Sequence, residues 1–214
     1  MDKVIAVGSQ MGMGKDTVAD HLCRKLNNTV RYHETRWQRI GFANAVKKVF
    51  MDAFNVDLDF IEKWKRIPEP PPGFDMPVRQ GLQQIGDGFR KIKATIWLDT
   101  AFRNEGNYII SDVRYINEVK RVHKEKGINI LVWRPNFEND DPNPSESEIL
   151  RLICYFRDLG VDGPVNQDLV QADSHRPDGA EQVHYFLRND TDLEGLYKKV
   201  DDKLASYVQQ KLAQ

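Results

Sequence analysis

The chain has 214 residues, 40% of them apolar, which suffices for one α/β domain with insertions and a real core. A net charge of −1 argues against a protein whose main task is binding nucleic acid, since such proteins carry basic surfaces. No apolar run reaches membrane-spanning length and the N-terminus lacks a signal-peptide layout, so we expect a cytoplasmic protein without a membrane partner. Cys23 and Cys154 lie in helical patterns and indicate buried thiols in a reducing compartment.

The first predicted elements are a strand, a glycine-rich turn and a helix. The apolar run 4–7 predicts a strand buried on both faces of a parallel sheet. Gly8, Gly12 and Gly14 follow, and apolar residues recur at helical spacing over 18–26. This order predicts a phosphate cradle, because glycines let backbone N–H groups approach phosphate oxygens and the helix N-terminus adds partial positive charge. Lys15, at the start of the helix, would reach the β- and γ-phosphates.

The loop departs from the GxxxxGK[ST] pattern at two positions. Ser9 stands where the first glycine belongs, and Asp16 replaces the magnesium-binding hydroxyl, with Thr17 next. Adenylate-kinase-like enzymes are similar in placing a non-hydroxyl residue after the lysine and a threonine beyond it. The alternative is a glycine-rich turn with a surface lysine, but the buried strand before it and the amphipathic helix after it favour the phosphate loop.

Helical patterns dominate the stretch after the first helix. A weakly signalled strand lies within 30–42, and a helix with one apolar face follows from Phe42 to Phe54, carrying Lys47. Further helices are predicted over 59–67, 78–85 and 96–102, with Gly86-Asp87-Gly88 ending the second and a stiff proline-rich loop over 68–73. Arg79 and Gln83 are four residues apart and share the face of the 78–85 helix opposite its apolar side.

Two further apolar strands, 108–110 and 128–133, flank a helix from 116 that ends at Gly127. The first ends in Ser111-Asp112-Val113-Arg114, and polar residues at a strand's carboxyl end are where open α/β sheets bind ligands. A last strand is predicted over 183–187, before a helix capped by Thr191 and Glu194. The alternation predicts a three-layer α/β sandwich around a mostly parallel, five-stranded sheet.

The alternation lapses over 136–182. Ser145 with Glu148 predicts a capping box for an amphipathic helix whose apolar face runs from Ile149 to Phe156. A long excursion of this kind is usually a lid or a binding loop. The alternative is a helix packed permanently against the body of the protein or against a second subunit. In the second case the protein would be a homodimer.

At this point the chain resembles a known family, the deoxynucleoside monophosphate kinases of tailed bacteriophages, within the nucleoside-monophosphate-kinase fold. Its departures are Ala45 where the family has proline, Asp87 where it has threonine, and 143–146 without the usual histidine. The resemblance rests on five short segments in the family's order: Gly14-Lys15-Asp16-Thr17; Phe42-Ala43-Asn44-Ala45-Val46-Lys47; Arg79 with Leu82-Gln83-Gln84-Ile85-Gly86; Asp112-Val113-Arg114 with Glu118; and Leu187-Arg188-Asn189-Asp190.

The resemblance implies phosphoryl transfer from ATP to a deoxynucleoside 5′-monophosphate, for nucleotide supply, in the cytoplasm of an infected host cell. It implies a single P-loop kinase domain with a helical acceptor-binding region at about 43–104 and a lid at about 136–182. Its partners would be small-molecule nucleotides, and its cofactors ATP and Mg²⁺, the metal lying near Asp16 and Thr17, with Asp112 reached through water. The implied ATP-binding residues are Ser9, Gln10, Met11, Gly12, Met13, Gly14, Lys15, Asp16 and Thr17.

The resemblance also implies the residues around the acceptor, which would lie between the 42–47 segment and the strand ends. Arginine forks match phosphate oxygens, so Arg79 and Arg114, with Lys47, are expected to bind phosphate. With Lys15, Asp112, Arg79 and Arg114 form the expected catalytic set. Candidates for base, sugar and phosphate contacts are Phe42, Lys47, Arg79, Gln83, Gly86, Trp97, Asp112, Arg114 and Glu118; candidate lid arginines are Arg90, Arg151, Arg157 and Arg176.

Several alternatives stay open from the sequence. Trp97 is equally typical of a hydrophobic core, and Asp112 with Arg114 of a structural ion pair. A kinase of another small phosphorylated acceptor, such as phosphomevalonate, would share the loop without needing a base pocket. A regulatory P-loop module without transfer activity is a further alternative, although the Asn-Lys-x-Asp base-reading motif of GTPases is absent from the sequence. A polynucleotide kinase is disfavoured by the charge.

Overall fold

The structure is a computed structural model that describes residues 3–30, 35–103, 105–137 and 144–213, with the backbone alone at 144–146. The chain divides into two compact units. The larger comprises Met1–Ile40 and Glu105–Gln214, and the smaller is Gly41–Asn104. The lid motif expected at 143–146 and the capping side chain of Ser145 lie outside the described side chains.

The larger unit contains a sheet of six strands in the described part of the chain, in the order β2-β3-β1-β4-β6-β5. The first five in that order run parallel, which confirms the predicted α/β class with a mostly parallel sheet. The sixth, β5, is a two-residue antiparallel edge that the sequence did not predict. The strands are β1 (Val4–Gly8), β2 (Trp37–Ile40), β3 (Asn107–Val113), β4 (Ile128–Trp133), β5 (Gly163–Pro164) and β6 (Tyr185–Arg188).

The helices cover both faces of this sheet and build the smaller unit. Helices α2 to α5 belong to the smaller unit, and the others to the larger one. A 3₁₀ turn at Ala180–Gln182 precedes β6, and a π-helical turn at Val200–Leu204 joins the last two helices. In chain order the helices are α1 (Lys15–Thr29), α2 (Phe42–Phe54), α3 (Leu58–Trp64), α4 (Val78–Ile92), α5 (Ile96–Ala101), α6 (Ile116–Lys124), α7 (Pro144–Asp158), α8 (Gln167–Ala172), α9 (Leu193–Lys199) and α10 (Ala205–Leu212).

The core of the larger unit has the layered form that the apolar strands predict. Strand side chains alternate between the two faces of a sheet. Ile5 and Val7 point to the face where α1 and α10 pack, in one buried cluster with residues of β3, β4 and β6. Gly8 lies on the other face, where Ile149 of α7 approaches it. Burial on both faces explains why these strands are continuous apolar runs rather than alternating ones.

The smaller unit has its own core around Phe50, Ile61 and Val78. Helix α4 continues to Ile92, so the prediction that Gly86-Asp87-Gly88 ends it was wrong. Each glycine inside a helix costs about 1 kcal/mol relative to alanine, and packing routinely overrides a cost of that size. The buried side of α4 shows such packing, because the indole N–H of Trp97 donates to the Gly86 carbonyl at 3.0 Å.

The segment expected to form a lid is largely built into the larger unit. The apolar face of α7 is buried, with Phe156 0% exposed and its ring centroid 5.8 Å from that of Phe186 in β6. Glu148 accepts a hydrogen bond from the N–H of Ile116 at 3.1 Å, which ties α7 to the start of α6. This packing favours the alternative of a permanently docked helix over a mobile lid for α7.

Two smaller expectations are corrected. Helix α9 is capped by Asp192, whose Oδ1 accepts the Gly195 N–H at 2.8 Å, and not by Thr191, because the aspartate immediately precedes the first turn. Cys23 and Cys154 are free thiols that are half-buried rather than buried. Across the described ranges, no helix combines the length and apolar character needed to cross a membrane.

If α7 is a core element, truncating its central aromatic side chain should destabilise the fold. We expect Phe156→Ala to lower the free energy of unfolding by about 3–5 kcal/mol, because it leaves a cavity beside Phe186. Leu159→Ala is the matched control, since Leu159 lies just beyond α7 and is 52% exposed. Urea denaturation of both variants makes the comparison, and equal small losses would contradict permanent docking.

Candidate active site

The glycine-rich loop lies where the strand order of the sheet reverses. Strand β1 is between β3 and β4, and the chain continues from β1 toward one side of the sheet before returning to the other. In open α/β sheets, ligands bind outside the carboxyl ends of the strands at such a reversal. The loop 9–14 joins the end of β1 to Lys15, the first residue of α1. The fold therefore supports the position that the sequence predicts for a phosphate site.

Two glycines of this loop have backbone conformations that other residues rarely adopt. The φ angles are +85° at Gly12 and +99° at Gly14. A Cβ atom added at Gly12 would lie 2.2 Å from Cζ of Phe137, and one at Gly14 would lie 2.6 Å from Nδ2 of Asn189. Only glycine fits at these two positions, which is the tight glycine-rich conformation that a phosphate cradle requires.

Asn189 holds the loop from the end of the neighbouring strand β6. Its Nδ2 donates to the Met13 carbonyl at 2.9 Å in a buried hydrogen bond, and its own N–H donates to the Trp133 carbonyl at 2.7 Å. The sequence marked Asn189 as part of a family segment but assigned it no role. The available signal was an asparagine directly after an apolar strand, at the sheet edge where the loop was expected.

Lys15 is buried, with 5% of its surface exposed, and its ammonium lies 3.5 Å from Oδ2 of Asp16. Burial lowers the pKa of the Lys15 ammonium below its ordinary value of 10.5, and the charge of Arg114 adds to the lowering. Asp16 and Asp112 act in the opposite direction. Because these charges act on Lys15, the structure brings three of the four predicted catalytic residues together: Lys15, Asp112 and Arg114.

An irregularity in β3 lies beside Asp112. Ala6 pairs with Ile110, but Gly8 pairs with Val113, so β3 contains one extra residue between these pairs. Bulges re-aim side chains and are common next to active sites. Val113 is buried, whereas Asp112 and Arg114 on either side of it are half-buried. This is the alternation expected if both charged side chains face the same side of the strand.

Asp16 is engaged by an arginine that the sequence analysis did not single out. The guanidinium of Arg39 in β2 donates to Asp16 through Nη2 and to both Asp20 oxygens through Nη1 at 2.8 Å. Its Nε donates to the Ser111 hydroxyl at 2.9 Å. No local sequence pattern predicts these contacts, because the partners of Arg39 lie 19 to 72 positions away in the chain.

The residues expected to lie near Mg²⁺ fit that ion unequally. A hydroxyl and a carboxylate, as on Thr17 and Asp112, are the oxygen ligands that magnesium prefers. The Asp16 carboxylate fits less well, because it is already paired with Lys15 and Arg39. Among the described residues, no group of three or more His, Cys, Asp or Glu side chains could hold a metal by itself. Thr17 and Asp112 are therefore the residues that would hold magnesium here, where the ion would neutralise phosphate charge.

The remaining loop residues differ in exposure. Ser9, Gln10 and Met13 are buried, while Met11 is 37% exposed. The Ser9 hydroxyl has no hydrogen-bond partner within the described part of the chain. Ser9, Gln10 and Met13 thus anchor the loop inside the fold, while Met11 faces solvent.

Glu118 has a structural position. It is 3% exposed, and its Oε2 accepts the N–H groups of Arg114 at 2.8 Å and Tyr115 at 3.1 Å. These bonds fix the chain between β3 and α6, and so fix the backbone of Arg114. This placement favours a positioning role over the predicted contact with base or sugar.

Two predicted substrate-binding residues of the smaller unit, Lys47 and Trp97, are also engaged in contacts within the protein. Lys47 pairs with Glu62 at 2.8 Å, and Lys65 pairs with the same carboxylate. The hydrogen bonds from Lys47 and Lys65 lower the Glu62 pKa to about 2. Trp97 is 4% exposed and lies against Phe89, with ring centroids 5.4 Å apart, so it is a core tryptophan rather than an open stacking face.

The other candidates of this unit lie on or near its core helices. Phe42 and Gly86 are buried, whereas Arg79 and Gln83 are half-buried and four residues apart on α4. The candidate lid arginines do not form one group. Arg176 pairs with Glu181, Arg157 with Asp158, and Arg90 with Asp87 within its own helix.

Comparisons with known proteins add little beyond these observations. No family model and no curated protein matches the chain. Among solved structures, a shikimate kinase from Acinetobacter baumannii, in complex with shikimate, aligns at 17% identity with a TM-score of 0.45, covering 99% of this chain and 96% of that one. A sugar kinase from Janibacter sp. aligns at 13% identity with a TM-score of 0.34, covering 98% of each chain. Similarity at this level of identity and TM-score gives no information on what this chain binds or acts on.

Removing the Asn189 side chain should loosen the loop. We expect Asn189→Ala to cost about 1–3 kcal/mol, because the buried Met13 carbonyl loses its donor, and to weaken ATP binding. Asn27→Ala is the matched control, since Asn27 makes a similar pair of bonds to the Trp37 backbone at the far end of α1. Calorimetric titration with ATP and thermal melting distinguish the two sites. Equal ATP affinity in both variants would contradict a loop-holding role.

The lowered pKa of Lys15 predicts an alkaline limit for ATP binding. The ammonium must be protonated to attract phosphate, so affinity should fall as pH rises through a pKa that lies below 10.5. Lys15→Arg is the control, because a guanidinium stays charged over this range. ATP titrations from neutral to alkaline pH give both profiles, and identical profiles for wild type and variant would exclude Lys15 as the titrating group.

Proposed function

We propose that the protein is an ATP-dependent kinase that transfers a phosphoryl group to a deoxynucleoside 5′-monophosphate. The observation that carries the proposal is the buried ammonium of Lys15, at the start of a helix and behind a glycine loop, with Asp112 and Arg114 in its electrostatic surroundings. A buried cation at a helix N-terminus is costly unless anions neutralise it, and Asp16, 3.5 Å away and more than half exposed, does so only in part. A nucleotide phosphate would supply a second anionic partner.

The residues of the larger unit have distinct roles in this mechanism. Phosphoryl transfer depends mostly on positioning and charge neutralisation, and requires little covalent chemistry from the protein. The loop N–H groups bind the β- and γ-phosphates, Lys15 stabilises the transferring group, and Arg114 offers a guanidinium fork to its oxygens. Magnesium, when bound with ATP, would neutralise phosphate charge beside Thr17 and Asp112. Glu118 and Asn189 position the backbone on which these groups depend.

The identity of the acceptor rests on the resemblance to phage deoxynucleoside monophosphate kinases. The segments that carry it in the smaller unit are 42–47 and the first half of α4. We assign acceptor binding to Arg79, for phosphate, and to Gln83, for the base, because they share one face of α4. Lys47 is a second candidate for phosphate binding. Its ammonium would have to leave the ion pair with Glu62, or contact Glu62 and the phosphate together.

A kinase of another small phosphorylated acceptor, such as phosphomevalonate, is the second candidate. The observation that favours it is the engagement of two residues expected to read the base and sugar. Trp97 is buried with its indole N–H satisfied, and Glu118 is buried with two backbone donors. An acceptor without a base would need neither residue.

A panel of acceptors tests the proposal. ADP release with ATP and Mg²⁺ would be measured for the deoxy- and ribonucleoside monophosphates, phosphomevalonate and water. We expect turnover with one or more deoxynucleoside monophosphates, and a kcat that is about 10²–10⁴-fold lower in Lys15→Ala, the scale of losing one preorganised charge contact.

Lys25→Ala is the matched control for this assay, since Lys25 lies in the same helix and pairs with Asp201. It should keep wild-type turnover. Turnover only with phosphomevalonate would establish the second candidate. ATP binding without transfer to any acceptor would favour a non-catalytic P-loop module, and Lys15→Ala with unchanged turnover would end the P-loop kinase interpretation.

A further inference from the structure

Arg39 is the hub of a charged network beside the phosphate loop. It lies in β2, one residue before that strand ends, and contacts the first two turns of α1 as well as the end of β3. Its three partners are Asp16, Asp20 and Ser111. Ser111 is 3% exposed, so the guanidinium is anchored from the interior while its other nitrogens reach two half-exposed carboxylates.

The Asp16 carboxylate is shared between two cations. Its Oδ1 is held by Nη2 of Arg39, while its Oδ2 lies 3.5 Å from the Lys15 ammonium. Charge-assisted bonds between nitrogen and carboxylate oxygens are normally about 2.7–2.9 Å long. The contact with Lys15 is therefore long, and Asp16 is bound mainly by Arg39, although Lys15 is its neighbour in the chain.

A carboxylate beside Lys15 competes with phosphate for the same ammonium. Two unit charges 3–4 Å apart in a partly buried site attract one another by several kcal/mol before desolvation is counted. If nothing else held Asp16, it would close onto Lys15 and neutralise the charge that the loop presents. The network has the geometry to prevent this, since it holds the carboxylate by the oxygen that faces away from Lys15.

We propose that Arg39 is a positioning residue that keeps Lys15 available to ATP phosphates by holding the competing carboxylate of Asp16. This inference rests on the proposed ATP-binding function and adds to it a residue that touches neither substrate. An arginine suits the task because its planar fork reaches three partners at once, whereas a lysine would offer a single point charge. Asp20 shares the guanidinium but does not contact Lys15, so it is the internal control.

The test is a double-mutant cycle read by equilibrium binding of ATP, without acceptor. We expect Arg39→Ala to weaken ATP binding about tenfold or more, and Asp16→Asn in the same chain to restore most of that loss, because the competing charge is gone. Adding Asp20→Asn to Arg39→Ala should restore nothing. Arg39→Lys should fall between wild type and Arg39→Ala.

Three outcomes would overturn the proposal. ATP binding unchanged in Arg39→Ala would show that Asp16 does not compete, and an equal loss with or without Asp16→Asn would make Arg39 merely structural. If Asp20→Asn restores the ATP affinity of Arg39→Ala as much as Asp16→Asn does, the effect would come from net charge rather than from the position of Asp16. If Arg39→Ala does not fold, Arg39→Lys with and without Asp16→Asn gives the same comparison. If the wild-type protein binds ATP no better than Lys15→Ala does, that result would instead overturn the proposed function itself.

Discussion

A lysine ammonium buried at the beginning of a helix is the constraint on which the rest of the site depends. Burial disfavours its charge, the helix N-terminus contributes partial positive charge, and Arg114 adds a third unfavourable term. Asp16 and Asp112 offset these only in part, and more than half of the Asp16 side chain is exposed to solvent. Such a charge distribution favours an anion beside Lys15, at the sheet edge where the glycine-rich loop lies.

The surrounding fold keeps that cation in place from several directions. Asn189 holds the loop from β6, Glu118 holds the chain after β3, and Arg39 links β2 and β3 to α1. Lys199 of α9 extends the support, because its ammonium bonds Asp190 at 2.7 Å and the Arg188 carbonyl at 2.9 Å, on either side of Asn189. The site is thus assembled from the carboxyl ends of neighbouring strands, which a parallel sheet brings together by its topology.

The sequence predicted the parts of this fold that depend on local pattern. Apolar runs identified β1, β3 and β4, and glycine spacing identified the loop, because both signals come from neighbouring residues. The prediction failed where contacts between residues far apart in the chain determine the structure. Helix α4 continues past Gly86 because packing outweighs the cost of its glycines, and the apolar face of α7, for which the sequence left both a lid and a docked helix open, is buried. Arg39 and Asn189 were missed as site residues for the same reason, since their partners are far away in the chain.

The engagement of predicted residues also narrows where acceptor recognition is to be sought. Trp97 and Glu118 are occupied by backbone partners, and Lys47 pairs with the Glu62 carboxylate, whose pKa is lowered to about 2 by hydrogen bonds from Lys47 and Lys65. Breaking a satisfied buried contact to bind a substrate is costly. Arg79 and Gln83 are half-buried and four residues apart on one face of α4. Under the proposed function, these two residues are therefore the first to test for the choice between a nucleotide and a smaller phosphorylated acceptor.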